Sequence, residues 1–208
     1  MTRLKQTSTI AAALLLTATL GACTSAGGNG VATSSPSASS SSSASTPATT
    51  TATPTQSPEE LAIAAAKEKI PAYFAVSDKS LQDTKAFNRE EFKTVAITTA
   101  LDDLGNLYSA FQAQDYKQVG ATTVESMSDP KVNLTMDLKK TPPDVPNVQL
   151  QVCIDVSKLN VVDSAGKSVV PANRKPRQLW RIGVANYEYP KAAGWRVAYT
   201  DTQGGKTC

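Results

Sequence analysis

The range of acid–base and nucleophilic chemistry open to this chain is narrowed by one absence, because its 208 residues include no histidine. Histidine is the commonest general base near neutral pH, so Ser-His-Asp and Cys-His catalysis are excluded. Histidine-ligated zinc is excluded too, and the three cysteines are too few for a four-cysteine zinc site. We therefore predict no catalytic residue, no metal site and no cofactor.

Tyrosine and aspartate could meet in a pocket, but nothing in their spacing requires it. Tyr73 and Tyr108 lie in the first half of the globular part, and Asp137 and Asp155 lie in the second half. We favour tyrosines packed between helices and sheet with their hydroxyls at the rim, and aspartates on a solvated strand face. If a pocket exists, we expect it to involve Tyr73, Tyr108, Asp137 and Trp180.

Aromatic and basic residues near the C-terminus offer two further binding hypotheses. Trp180 and Trp195 could stack on sugar rings, although Trp195, within a Gly-Trp-x-Val sequence, is expected to pack the sheet onto the helices. The basic run 174–177, together with Arg181, could bind anionic wall polymers, but such a run is more often a solvated loop and sheet edge.

Cys23 ends a segment typical of a bacterial lipoprotein signal peptide. Arg3 and Lys5 supply positive charge, and the apolar stretch Ile10 to Leu20 is too short to cross a hydrocarbon core as a helix. The sequence Leu-Gly-Ala-Cys at 20–23 matches the lipobox, in which lipid is attached to the cysteine and cleavage occurs just before it. We predict a signal peptide at residues 1–22 and lipidation at Cys23. The alternative is an ordinary secretory signal.

A lipid on Cys23, diacylglycerol or palmitate-type, implies a protein held on the outer face of the cytoplasmic membrane. The membrane is then its first partner. Nucleic acid is not an expected partner, because 21 basic and 18 acidic residues nearly balance and form no basic stripe.

Residues 23–57 are predicted to be a disordered linker. From Thr24 to Ser57, 19 of 34 residues are serine or threonine, with no charge and no aromatic side chain. Such a segment buries too little apolar surface to offset the loss of chain entropy. We interpret it as a passive tether. Serine and threonine with proline also suit O-glycosylation.

Residues 58–208 form the predicted globular domain, which begins with helices. Ser57-Pro58-Glu59-Glu60 has a capping serine, proline at the first helical position and acids in the first turn. This helix is expected to run to about Val76, with a kink or break at Pro71. A second start at 88–91 precedes helically spaced apolar residues to Phe111, with a break near Thr98 or Gly105.

After Gly120 the apolar period changes to two, which indicates β-strands. The predicted strands are 132–138, 148–156, 159–163, 168–170, 177–189 and 195–201. Helices followed by such strands predict an α+β fold, with N-terminal helices packed on a curved antiparallel sheet.

Cys153 and Cys208 are the two cysteines that remain if Cys23 is lipidated. Outside the cytoplasm a disulfide is the default state, and it would pin the end of the chain. Two free thiols and a redox couple are the alternatives, although no CxxC spacing favours the redox couple.

The domain resembles the actinobacterial lipoproteins whose cone-shaped domain is like that of nuclear transport factor 2. The resemblance rests on Val-Cys-Ile-Asp-Val-Ser at 152–157, the Val-Asp-x-x-Gly-Lys turn at 162–167, Gly-Trp-Arg-Val at 194–197 and Gly-x-x-Cys at 205–208. It implies that Cys153 pairs with Cys208, that helices and sheet enclose a pocket, and that the sheet can mediate a homodimer.

Two functions follow from these expectations. The first is a non-catalytic binding or interaction module at the cell envelope, with an envelope protein, a wall component or a small apolar ligand as partner. The alternative is a small extracytoplasmic isomerase or dehydratase that uses the cone pocket, because enzymes of the superfamily it resembles have Tyr with Asp, His with Asp, or Asp with Arg in such a site. Without histidine, only the first and third pairs are open to this chain.

Overall fold

The computed structural model describes residues 56–208. The predicted signal peptide, Cys23 and nearly all of the predicted linker therefore lie outside the described residues. The helical elements are α1 (Pro58–Gln82), a 3-10 turn (Arg89–Glu91), α2 (Phe92–Val95), α3 (Thr98–Gln114) and two later 3-10 turns (Ala192–Gly194 and Gln203–Gly205). The strands are β1 (Lys117–Val119), β2 (Thr123–Asn133), β3 (Asn147–Asp155), β4 (Asn160–Val162), β5 (Arg177–Asn186) and β6 (Trp195–Asp201). Among these residues, no helix is both long and apolar enough to span a membrane.

The start of α1 confirms the predicted cap. The Ser57 side chain accepts a hydrogen bond from the Glu60 amide at 3.1 Å, and the Glu60 carboxylate accepts one from the Ser57 amide at 2.7 Å. This reciprocal capping box satisfies two backbone donors that a helix start leaves free.

The predicted break at Pro71 is wrong, because α1 continues through it to Gln82. Proline removes one amide donor, which would have bonded to the carbonyl of Lys67. Pro71 and Lys67 are both exposed, so water can solvate that carbonyl. The apolar face of the helix is buried on both sides of the proline, at Ile70 and Phe74.

The break predicted near Thr98 is confirmed, whereas Gly105 lies inside α3 and interrupts nothing. Between α2 and α3 the chain leaves the helix and runs beside β6. The Ile97 amide donates to the Val197 carbonyl at 2.9 Å, and Ala96 forms a parallel bridge with Val197. A sheet contact therefore replaces the helical bonds that are lost at the break.

The main sheet is antiparallel and open, with the strand order β2-β3-β5-β6, and β1 and β4 form a separate pair. The helices pack on one face of this sheet, so the α+β class is confirmed. That inner face presents Val148, Leu150, Val152 and Ile154 of β3, all buried against α1 and α3. Trp195 is buried in the same core, as predicted.

The predicted strand at 132–138 is wrong in its bounds, since β2 covers Thr123–Asn133. Met136 and Leu138 are exposed in the loop that follows. The Asn133 side chain accepts a hydrogen bond from the Thr135 amide at 2.9 Å, which turns the chain out of the sheet. Two register shifts within β2 break its alternation of buried and exposed residues, which is why the sequence pattern missed its first half.

Two smaller boundaries also differ from the predictions. β4 pairs with β1, and 168–170 forms no regular strand. The predicted turn is present, because Ser168 bridges to Val162 and the Val169 amide donates to the Val161 carbonyl at 2.9 Å. β5 ends at Asn186 and not at Tyr189.

The disulfide between Cys153 and Cys208 is present, with a Cα–Cα distance of 5.9 Å and 55 residues between the cysteines along the chain. Cys153 lies on the face of β3 opposite the helices, which fits its position in the alternation with Gln149, Gln151 and Asp155. The Leu179 amide donates to the Lys206 carbonyl at 2.9 Å, so a backbone bond also holds the tail against β5.

We predict that replacing both cysteines, Cys153→Ser with Cys208→Ser, lowers the free energy of unfolding by about 4 kcal/mol. The reason is that the unfolded chain loses the cross-link and gains entropy. Urea denaturation with and without reductant measures the effect, and reduced parent protein should match the double variant. A loss below about 1 kcal/mol would contradict a stabilising role for this bond.

Candidate functional site

A cavity of about 320 Å³ lies between α1, α3 and the inner face of the sheet. Helix α1 supplies one wall, α3 a second, and β3, β5 and β6 the floor. The lining residues are Tyr73, Phe74, Ser77, Asp78, Leu81, Asp103, Leu104, Leu107, Gln118, Thr122, Ile154, Leu159, Trp180 and Thr200. The volume suits a small molecule.

Three aromatic side chains form one side of the cavity. The Phe74 ring meets the Trp180 ring edge-on at a centroid distance of 5.6 Å, and Tyr73 meets Phe74 edge-on at 5.4 Å. The Trp180 indole N–H donates to the Gln178 side chain at 3.2 Å. These contacts fix the orientation of the rings.

Asp78 holds a buried polar network at one end of the cavity. Its carboxylate accepts hydrogen bonds from the Gln118 side-chain amide at 2.7 Å, the Thr122 amide at 2.7 Å and the Thr122 hydroxyl at 3.1 Å. Asp78 is 6% exposed and Gln118 is 3% exposed, so these bonds replace those that water would otherwise make. The network joins α1 to β1 and to the start of β2.

Tyr73 lies on the same helix, α1, and its burial changes the acidity of its phenol. Burial and, to a lesser extent, the negative charge of Asp103 raise the pKa of the Tyr73 phenol to about 12, while a hydrogen bond with the Thr200 side chain acts in the opposite direction. The phenol is therefore fully protonated at neutral pH. It can donate a hydrogen bond to a ligand but is a poor proton donor for catalysis.

The structure brings together two of the four residues expected in a pocket. Tyr73 and Trp180 line the cavity, whereas Tyr108 and Asp137 do not. Tyr108 packs beside Phe87 and Phe92, and its hydroxyl donates to the Thr84 carbonyl at 2.6 Å.

Asp137 was misplaced because the strand predicted to contain it ends four residues earlier. It is exposed in the loop between β2 and β3, where its backbone pairs with that of Asp144. Asp155 is also outside the cavity: it lies at the end of β3, opposite Arg177, and accepts a hydrogen bond from the Ser157 amide.

Three residues that line the cavity were not predicted from the sequence: Asp78, Gln118 and Asp103. A signal for Asp78 was available, because it lies four residues after Phe74 on the apolar face of α1. A carboxylate at such a position must find internal partners. No comparable signal marks Gln118, whose burial depends on a tertiary contact 40 residues away in sequence.

The basic run near the C-terminus is largely engaged within the protein. Arg174 donates to the Val156 carbonyl at 2.8 Å, and Arg177 pairs with Glu125. Arg181 pairs with Asp201 across β5 and β6.

Comparisons with known proteins identify no family. No protein-family model matches the chain, and no curated protein matches it. Among solved structures, the intermembrane space region of the chloroplast protein ARC6 is similar with a TM-score of 0.42 and 10% sequence identity, over 65% of this chain and 92% of that one.

We predict that the protein loses stability between about pH 10 and pH 12 through Tyr73. The phenol releases its proton near 10.0 in the unfolded chain and near 12 in the folded one, so rising pH in this window favours unfolding, and below it the stabilisation is complete. Ultraviolet titration of phenolate, together with urea melts at each pH, measures both effects. Tyr73→Phe should remove the late titration step, and Tyr187→Phe, at an exposed site, should not.

Proposed function

We propose that the protein is a lipoprotein tethered to the outer face of the cytoplasmic membrane, and that its domain binds a small ligand in the cavity between α1, α3 and the sheet. The observation that most strongly supports ligand binding is the cavity itself, which aromatic and polar side chains line where α1, α3 and the sheet meet. The anchor would be Cys23, which lies outside the described residues.

The disulfide supports the extracytoplasmic part of the proposal. Bonds such as that between Cys153 and Cys208 form and persist in oxidising compartments and are rare in the cytosol. It ties the last residue of the chain to the middle of the sheet, which is a structural role. The disulfide and the predicted lipobox at 20–23 are independent features, and both support a location outside the cytoplasm.

We also propose that the domain is the cone of the nuclear transport factor 2 type. In support, helices precede the strands in the chain, pack on one face of the antiparallel sheet, and leave a cavity between helices and sheet. The cavity would then be the interior of the cone.

Binding fits the cavity better than isomerase or dehydratase chemistry. Such chemistry needs a group that exchanges protons near neutral pH. The pKa of Tyr73 is about 12, and both oxygens of Asp78 already accept hydrogen bonds from Gln118 or Thr122. Asp103 is the cavity acid without a hydrogen-bonded partner among the described residues, and it lies on the exposed side.

The membrane address predicts a specific labelling result. Cells that make the protein and grow on labelled palmitate should label it, and Cys23→Ala should abolish the label and release the domain into the medium. Cys153→Ala is the matched control at a cysteine of the domain and should leave the label in place. Label retained in the Cys23→Ala variant would overturn the anchor.

Ligand binding predicts that filling the cavity abolishes it. The mature chain, kept unlipidated by Cys23→Ser, would be screened by NMR against a library of small organic molecules. Hits should shift the signals of residues that line the cavity. Ser77→Phe should remove these shifts without unfolding the protein, because Ser77 borders the empty volume.

Ser109→Phe is the matched control for that experiment, since Ser109 is exposed on α3 outside the cavity. The control should bind hits as the parent does. Hits that shift only residues outside the cavity, or that bind the Ser77→Phe variant unchanged, would contradict the proposed site.

A further inference from the structure

We propose that the cavity selects a small organic cation, an ammonium group with a short apolar substituent. This inference rests on the proposed ligand-binding function and adds the chemical class of the ligand. It follows from the charges of the lining, from the aromatic walls and from the size of the space.

The lining carries acidic groups and no basic ones. Asp78 and Asp103 both line the cavity, and within residues 56–208 no lysine or arginine does. Neither acid takes part in an ion pair formed within that part of the chain. A cavity with this charge attracts cations and disfavours anions.

The two acids have different roles in this scheme. Asp78 is held by neutral donors from Gln118 and Thr122, so it contributes a fixed negative charge without being free to bind directly. Asp103 is exposed on α3 beside Leu104 and can contact a ligand at the mouth of the cavity. Its negative charge acts on the Tyr73 phenol, which lines the cavity from α1.

The aromatic walls suit an ammonium group as well. A cation near the face of Trp, Tyr or Phe is attracted by the ring electrons, and the attraction is strongest when water is excluded. Tyr73, Phe74 and Trp180 are neighbours along one wall, with ring centroids 5.4 and 5.6 Å apart. An apolar substituent of the ligand would meet Leu104, Leu107 and Leu159.

The experiment compares choline with 3,3-dimethyl-1-butanol, which has the same shape but carbon in place of the charged nitrogen. Both are titrated into the unlipidated mature chain, and the indole N–H signal of Trp180 is followed by NMR. The buried Trp195 indole serves as the internal reference. We expect choline to bind at least about tenfold more tightly than the neutral analogue.

Asp103→Asn and Asp102→Asn form the matched pair of variants. Both aspartates are exposed on α3, but only Asp103 lines this cavity. Asp103→Asn should weaken choline binding about tenfold and leave the neutral analogue unchanged, because one attractive charge is lost. Asp102→Asn should change neither.

Each other outcome counts against the inference. Equal affinity for the two probes, or equal effects of the two variants, would overturn cation selectivity. If both probes bound equally and Ser77→Phe abolished both, the proposed ligand site would stand and only the ligand class would fall. If choline did not bind at all, the inference would fall, and the screen against neutral molecules would decide the proposed function separately.

Discussion

Burial of the inner face of the sheet under α1 is the interaction on which the remaining structure depends. Val148, Leu150, Val152 and Ile154 alternate along β3, and Ile70 is fully buried against this cluster. Burying each such side chain contributes about 1.5–3 kcal/mol, so the strip supplies much of the force that holds helix on sheet. Within residues 56–208 no second layer of helices or strands packs on the other face of this four-stranded sheet, so the helices provide its core.

The opposite face of the sheet is held together by different means. Tyr199 lies over Gly183, where an added Cβ would come within 2.1 Å of its ring, and its hydroxyl donates to Gln149 at 2.7 Å. Further along, the disulfide between Cys153 and Cys208 fastens the tail. Cross-strand pairs and a covalent bond thus stabilise a face that has little apolar surface to bury.

The cavity exists because the core changes character along α1. Near Ile70 the helix packs tightly on the sheet, but at Asp78 it meets the polar residues Gln118 and Thr122. Satisfying a buried carboxylate requires donors at fixed positions, so β1 and the start of β2 are drawn toward the helix. The cavity lies between this network and Trp180, and aromatic rings and acidic side chains line it. The buried carboxylate of Asp78, whose hydrogen bonds join α1 to β1 and β2, therefore also contributes negative charge to the cavity.

The sequence by itself determined the α+β class, the capped start of α1 at Ser57 and the break before Thr98, because these follow from local hydrogen bonding and from the spacing of apolar residues. It also determined which cysteines were available to pair. It placed Tyr73 among the pocket candidates as a possible partner of an aspartate, and Trp180 as a possible stacking surface, and both line the cavity.

Only the tertiary structure decided which polar residues meet. Asp78 and Gln118 are 40 positions apart, and Asp137 falls in a loop because Asn133 turns the chain out of β2. The uninterrupted path of α1 through Pro71 was decided in the same way, by packing on both sides of the proline. Such outcomes depend on contacts between residues far apart in the chain, which override the local preference for helix or strand. These contacts cannot be recognised from the pattern of a single sequence.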